Sequence, residues 1–274
     1  MMVEALVYFF VPALVGVLIG IASGLLGIGG GTVMVPIFRL AFGMSATMST
    51  ATSLFAIIPT SISGAISHVK GKTCIPALGI AAGLGGACMS PIGVWLAQLS
   101  PDWLVMLAAA LIIGYSAINM FKKAFKVPRA GQPAEGADAA APTADDSPLS
   151  RKQLLQGAAI GLVAGLASGY VGVGGGFIMV PLMLSIIGIP MRKASGTSLI
   201  AVMILAIPGV IEQGIIGNIN YLAGIAIVIG TIPGAVIGAR LVTKVPERTL
   251  RLLFGCFLIV AAVMLVLNEV GIFG

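Results

Sequence analysis

The sequence predicts an all-α polytopic membrane protein made of two homologous repeats, and two observations support this. Hydrophobic residues make up 58% of the 274-residue chain and charged residues only 9%, with a mean hydropathy of +1.12. A soluble domain carries about 25% charged residues, so most of this chain must lie in lipid. The second observation is a duplication: ASGLLGIGGGTVMVP at 22–36 returns as ASGYVGVGGGFIMVP at 167–181, an offset of 145 residues from Gly27 to Gly172.

Each repeat is predicted to contain four long apolar helices and one short segment that follows the glycine-rich turn. Helices are favoured over a barrel because the apolar runs are continuous and do not alternate. In the first repeat, residues 1–121, the long segments are predicted at about 5–27, 44–67, 75–98 and 103–121. The short segment, about 32–43, falls below the ~20 residues that a crossing helix needs. A loop is expected at 68–72, with His68 as a loop residue rather than a ligand.

Residues 122–152 differ in composition from the rest of the chain. They begin with Lys122 and Lys123 and continue into a Pro-, Ala- and Asp-rich stretch with almost no large apolar residues. Such a composition predicts a disordered linker. The second repeat, 153–274, then follows the same plan, with segments at about 153–171, 177–189 (short), from 191, 220–242 and 249–268.

Glycines at four-residue spacing mark one face of the first helix in each repeat. They are Gly16, Gly20 and Gly24 in the first repeat and Gly157, Gly161, Gly165 and Gly169 in the second. Glycines four apart let a second helix approach closely, so this face is predicted to be a packing seam. It would suit internal packing or a homodimer.

The charge distribution predicts that the two halves are inverted. If every apolar segment crosses once, most basic residues share one side: Lys70, Lys72, the linker ends, Arg192, Lys193, Lys244, Arg248 and Arg251. Arg39 is the exception, and the opposite side holds mainly acidic residues. The positive-inside rule makes the basic side cytoplasmic, with the linker there and both termini outside. If the short segments are re-entrant and do not cross, the halves are parallel. Lys70 and Lys72 then lie on the opposite side of the membrane from Arg192 and Lys193.

The composition and residue spacing argue against several other classes of protein. The net charge of +6 comes from basic residues scattered among loops, so no nucleic-acid surface is expected. The three cysteines show no paired spacing, and no His/Asp/Glu set or serine–base pair stands out. We therefore expect no metal, no cofactor and no catalytic residue. The expected partners are a small anion and the lipid bilayer.

The glycine turns are the first candidate site. Neither copy completes a GxGxxG fingerprint, because Thr32 and Phe177 occupy the sixth positions. Consecutive glycines expose backbone N–H groups, and the short segment after them presents a helix N-terminus, which together favour an anion. The candidate ligands are Gly29, Gly30 and Gly31 with Gly174, Gly175 and Gly176. The alternative is that these glycines only permit a tight turn and close packing.

Hydroxyl and basic side chains provide further candidates. Thr52 and Ser53 match Thr197 and Ser198 across the repeat, where they could donate to an anion or cap the third segment. Arg39, Arg192 and Lys193 lie at the ends of the short segments and could attract anions, or simply fix the topology.

Acidic residues are scarce in the predicted spans. Of nine in the chain, only Glu212 is placed where it could lie inside the bundle. Proton- or cation-coupled transporters usually need buried carboxylates, so coupling through several acids is not expected.

These features together resemble one family. The doubled glycine turn followed by MVP, the Thr-Ser-Leu start of the next segment, the mid-chain linker and the length resemble the sulfite exporter TauE/SafE family of membrane permeases. The resemblance covers essentially the whole chain. It implies transport of sulfite or an organosulfonate such as sulfoacetate, usually outward across a bacterial inner membrane. Leu184 stands opposite Arg39, so the two copies need not bind alike.

The sequence therefore predicts an anion transporter that works by alternating access around the two glycine turns. A passive anion channel and a non-transporting membrane scaffold remain as alternatives. A carrier should show saturable flux and a channel unsaturable flux, whereas a scaffold should tolerate substitution of the turns.

Overall fold

The chain folds into a bundle of helices in a computed structural model that describes residues 2–125 and 150–269, with the side chains of 12–125 and 150–267. The helices are α1 (Met2–Leu26), α2 (Gly31–Phe42), α3 (Ala46–Lys70), α4 (Pro76–Leu99), α5 (Asp102–Phe125), α6 (Arg151–Val171), α7 (Gly176–Leu182), α8 (Met191–Ile216), α9 (Tyr221–Leu241) and α10 (Glu247–Glu269). No strand occurs in the described ranges. Seven of the described helices are long and apolar enough to cross a membrane, so this is a multi-pass membrane protein.

Two helices extend beyond their predicted ends. α3 continues to Lys70, so the assignment of His68 to a loop is wrong. Its imidazole is fully buried, with Nε2 2.7 Å from Gly24 O and Nδ1 2.7 Å from Thr73 Oγ1, and these contacts favour the added helical turn. α5 continues to Phe125 and α6 begins at Arg151, so both ends of the segment 122–152 expected to be linker are helical, and residues 126–149 between them lie outside the described residues.

The second short helix ends in a π-helical turn, Met183–Ile187, that the sequence did not predict. Pro181 O accepts hydrogen bonds from Ser185 Oγ at 2.6 Å and from Lys123 Nζ at 2.8 Å. Side-chain donors on this carbonyl compete with the regular backbone ladder, a recognised cause of local unwinding. In the first repeat Leu40 stands where Ser185 does, and α2 is a regular α-helix throughout.

The glycine faces form two packing seams, as predicted. A Cβ on Gly20 would lie 2.4 Å from Thr231 O of α9, and a Cβ on Gly161 would lie 1.9 Å from Ala82 O of α4. Only glycine permits such an approach of two backbones. Each seam joins helices from different repeats, α1 with α9 and α6 with α4, so the halves interlock and these faces are not available to a second copy of the chain.

The contacts also fix the directions of the helices. α1 runs parallel to α9, since Gly16 meets Gly230 and Gly24 meets Ala239. α3 is parallel to α9 as well, because Thr52 bonds to Asn220 and Thr60 to Thr231.

The other group of helices runs the opposite way. Gly64 of α3 meets Leu199 of α8, whereas Gly209 meets Leu54, so α3 and α8 are antiparallel. α4 and α6 run with α8. Helices at equivalent positions of the two repeats therefore point in opposite directions, as an inverted pair of halves requires. Because α1 and α3 are parallel, the glycine turn and α2 return the chain to the end at which α1 began.

Candidate functional site

The two glycine turns meet at the middle of α3 and α8. A Cβ on Gly31 would lie 2.6 Å from Val173 O, and a Cβ on Gly176 would lie 2.5 Å from Gly27 O. Ile57 and its repeat equivalent Val202 pack against both turns. The sequence-predicted residues Gly29–Gly31 and Gly174–Gly176 are thus brought together at one central position.

The backbone of both turns presents N–H groups at the start of a helix. Gly30 (φ 84°) and Gly175 (φ 70°) precede α2 and α7 in the left-handed conformation, which disfavours other residues by about 1–2 kcal/mol. In the first turn, Val33 N and Met34 N make the first helical bonds, both to Gly30 O at 3.2 Å. The N–H groups before them have no partner inside the helix. In the second turn, Gly176 N already donates to Gly174 O at 2.9 Å.

Buried hydroxyls without hydrogen-bond partners adjoin the turns. Ser61 Oγ lies 3.5 Å from the position that a Cβ on Gly29 would take, and Ser23 Cβ lies 3.7 Å from that of Gly30. Both side chains are fully buried, and neither hydroxyl has a partner among the described residues. The hydroxyls of Thr32, Ser53 and Ser168 are likewise fully buried and unpartnered among the described residues, and of these Ser168 lies beside the second turn, with Cβ 3.4 Å from the position of a Cβ on Gly175. An unsatisfied buried hydroxyl costs about 1–3 kcal/mol, so a group of them at one place requires an explanation.

The predicted hydroxyl residues divide into two kinds. Thr52 Oγ1 accepts from Asn220 N at 3.0 Å, and Thr197 Oγ1 accepts from Ile75 N at 2.9 Å, so each ties its helix to the start of α9 or α4. Ser198 Oγ donates to Gly27 O at 2.7 Å and supports the first turn. Ser53 is the member of the group whose hydroxyl is buried and unpartnered.

The three predicted basic residues are placed at the ends of helices. Arg39 is in the last turn of α2, well beyond Gly31. Arg192 is at the start of α8 and donates through Nη2 to Val245 O at 2.9 Å, and Lys193 follows it. All three therefore sit at helix ends, and the donors at the centre are neutral.

Two of the acidic residues have structural partners. Asp102 Oδ2 accepts from Ala46 N at 3.2 Å, and its repeat equivalent Glu247 accepts from Met191 N at 3.3 Å. Each carboxylate therefore supports the N-terminus of a central helix, where negative charge is favourable. Glu212 is half-buried in α8, and its Oε2 has no partner in the described part of the chain. Within those residues no group of His, Cys, Asp or Glu could hold a metal ion.

The sequence reasoning did not single out Ser23, Ser61 or Ser168, the buried hydroxyls that the structure places beside the turns. Ser23 and Ser168 occupy the same position in the duplicated ASG stretch, and this repetition was an available signal. Ser61 has Ala206 as its equivalent, so the repeat gave no sign of it. Only the approach of α3 to the first turn identifies Ser61.

The fold and this centre define a class: a multi-pass helical membrane protein with a polar centre between two interlocked halves. The model of the family described as Sulfite exporter TauE/SafE matches residues 12–265. The chain belongs to this family.

Several curated relatives share nearly the whole length. Probable membrane transporter protein YunE of Bacillus subtilis is 27% identical, covering 97% of this chain and 99% of the relative. A probable membrane transporter protein of Haemophilus influenzae is 30% identical, over 93% and 97% of the two chains. No solved structure matches the chain. The family is one of membrane transporters, which is not a class of enzymes.

Proposed function

We propose that this protein is an alternating-access carrier for a small sulfur-containing oxyanion, sulfite or an organosulfonate such as sulfoacetate, which it exports. The observation that carries the proposal is the set of unpartnered buried hydroxyls beside the first glycine turn. Hydroxyls and backbone amides are the donors that an oxyanion accepts. The family description, which names sulfite, supports this choice of substrate.

The donors for the anion are the amides of Gly29–Gly31 and the hydroxyls of Ser61 and Ser23. The N-terminus of α2 adds a partial positive charge at the same place. Neutral donors bind an anion less tightly than a buried basic side chain would. Such a site can therefore release its ligand readily. We assign Ser53 and Ser168 to the edge of this site, and Thr52 and Thr197 to the structural ties described above.

Transport requires the centre to open to each side in turn. Ile57, Val202 and Ser61 are fully buried, so an anion reaches the turns only if the helices around them move. Repeats with opposite helix directions are typical of transporters that rock about a central site. This need for movement favours a carrier over a passive channel, and the unpartnered hydroxyls favour a carrier over a scaffold.

The proposed location is a bacterial inner membrane, with the linker cytoplasmic and the termini periplasmic. Glu212 is the carboxylate to test if transport depends on a proton gradient. A homodimer, if one forms, must use a surface other than the glycine seams, because these are occupied within the chain.

The first test is flux in proteoliposomes, comparing sulfite, sulfoacetate, sulfate and chloride with and without a pH gradient. We expect saturable flux of a sulfur oxyanion that is indifferent to the gradient. Flux that rises linearly with anion concentration would identify a channel, and the absence of flux for every anion would favour the scaffold.

The second test removes one hydroxyl. Ser61→Ala should lower flux about tenfold or more, since a hydrogen bond to a charged group contributes about 1.5–3 kcal/mol. Ser67→Ala, on the same helix but nearer its end, is the matched control and should leave flux unchanged. Equal flux in both variants would refute the assignment of Ser61. Gly30→Val is less informative, because its positive φ makes any side chain strained.

A further inference from the structure

A large groove between helices of the two repeats has no role in the proposed transport. It has a volume of about 840 Å³ and lies between α4, α5, α6 and α7. Most of its lining is apolar, including Ile112, Val163, Leu166 and Leu182. The groove follows α5 from Ala108 to Lys123, which at 1.5 Å per residue is roughly 22 Å, about the length of a lipid acyl chain.

Polar side chains line one edge of the groove. Ser116, Asn119 and Lys123 occur at helical spacing on α5 and so share one face. The equivalent positions of α10 in sequence are Ala261, Met264 and Asn268. The polar edge with its lysine therefore occurs on α5 of the first repeat and is not repeated on α10 of the second.

Lys123 is half-buried, and its ammonium forms no ion pair with a carboxylate among the described residues. Its Nζ donates to Pro181 O at 2.8 Å and to Ser185 Oγ, both neutral acceptors. Arg251 is close by, with Nη1 donating to Lys123 O at 3.4 Å, but its guanidinium is already paired with Glu247. Lys123 is thus the partly desolvated cation that has only neutral acceptors, and it favours an anion within the groove.

The position of Lys123 indicates the source of that anion. Lys123 lies in the last turn of α5, which is one of the candidate membrane spans, so its ammonium is at the level of the lipid headgroups. Basic pockets between membrane helices at this level suit acidic headgroups. The rest of the groove points along α5 into the hydrocarbon layer, where an acyl chain lies.

We propose that this groove binds an anionic membrane phospholipid, with the phosphate at Lys123 and one acyl chain along α5. The hydroxyl of Ser185 and the amide of Asn119 contact the polar part of the lipid. The bound lipid packs against the π-helical turn Met183–Ile187 and thereby contacts the end of the second short helix.

Native mass spectrometry of the detergent-purified protein tests this proposal, with phosphatidylglycerol and phosphatidylcholine of equal chain length as competing probes. The wild type should prefer phosphatidylglycerol roughly fivefold, the size expected for one basic residue near a membrane surface. Lys123→Met should abolish the preference. Lys122→Met removes the same charge from the exposed neighbouring position and should keep it.

A second pair of variants tests the acyl-chain part of the groove. Ala108→Phe fills the groove and should reduce retention of both lipids, whereas Leu111→Phe, on the exposed side of α5, should not. The proposal is overturned if Lys123→Met and Lys122→Met behave alike, or if Ala108→Phe has no effect. These measurements do not involve transport, so their outcome is independent of the proposed function.

Discussion

The two glycine turns share one backbone but differ in the side chains around them. Gly30 and Gly175 have nearly the same conformation, with φ of 84° and 70°. Beside the first turn stand Thr32 and Ser61, whose hydroxyls are buried and unpartnered, whereas Phe177 and Ala206 occupy the equivalent positions of the second. The two repeats therefore share the geometry of the turns, and the first turn has more unpartnered hydroxyls beside it than the second, where Ser168 is the equivalent of Ser23.

This difference separates two roles for the turns. The glycines themselves are explained by packing, since a Cβ on Gly27 would lie 2.4 Å from Ser195 O and one on Gly172 would lie 2.2 Å from Thr50 Cβ. Of the proposed donors, Ser61 has no hydroxyl equivalent in the second repeat, whereas Ser23 is matched by Ser168 and Gly29–Gly31 by Gly174–Gly176. We therefore expect the anion to bind off the axis, nearer to the first turn.

The largest expected effect concerns the sidedness of two equivalent loops. Cys74 lies after α3 and Asn218 after α8, at opposite ends of the bundle. With Cys88 and Cys256 replaced by alanine, a membrane-impermeant maleimide should label Cys74 and Asn218→Cys from opposite faces of oriented vesicles. Labelling of both from one face would contradict the inversion.

The rate of this labelling carries a pH dependence. Burial raises the pKa of the Cys74 thiol above its ordinary value. Because the thiolate is the reacting form, Cys74 should react more slowly than a free thiol at the same pH and speed up as the pH rises. A pH–rate profile against a small thiol in solution provides the reference.

The next largest effect is steric. Gly31→Ala places a Cβ 2.5 Å from Ile57 Cδ1 and 2.6 Å from Val173 O, and overpacking of this kind costs about 1–3 kcal/mol or more. We expect a strong loss of monodisperse protein in size-exclusion chromatography. Gly114→Ala, with no atom within 4 Å of the new Cβ, is the control. Equal yields for the two variants would show that the turns can separate at little cost.

A moderate effect distinguishes the two halves of the site. Ser23→Ala should reduce flux about tenfold, because its hydroxyl lies beside the first turn with Ser61. Ser168→Ala makes the same change beside the second turn and should have a smaller effect. Equal losses in the flux assay would indicate a symmetric site on the axis.

The smallest effect concerns the turns that follow α3 and α8. Lys72 has φ 53°, and its equivalent Gly217 has φ 85°. No atom lies within 4 Å of the position that a Cβ on Gly217 would take. Lys72→Gly should stabilise the protein by about 1 kcal/mol, and Gly217→Ala should destabilise it by a similar amount. Thermal denaturation should show shifts of about 2–4 °C in opposite directions. Shifts of the same sign would mean that backbone strain is not the cause.

Composition and periodicity are enough to predict the class, the repeat and the packing faces. Apolar runs of spanning length dictate helices in lipid, because only helices and closed barrels satisfy their backbone there. The four-residue spacing of Gly16 and Gly20 predicts a close helix contact, and the 145-residue offset identifies equivalent positions. These features are local or periodic, so the sequence displays them directly.

Which residues meet across the bundle could not be predicted without the three-dimensional packing of the helices. The glycine spacing predicts that α1 packs closely on another helix, but it does not indicate which one. That this helix is α9 of the other half is known only from the structure. Ser61 has no repeat counterpart, and its place beside Gly29 depends on how α3 crosses the turn. From the sequence, Lys123 is predicted to be part of the linker. In the structure its ammonium donates a hydrogen bond to Pro181 O, which places it in the groove. Contacts between segments far apart in the chain depend on the three-dimensional arrangement of the helices, and no local pattern encodes them.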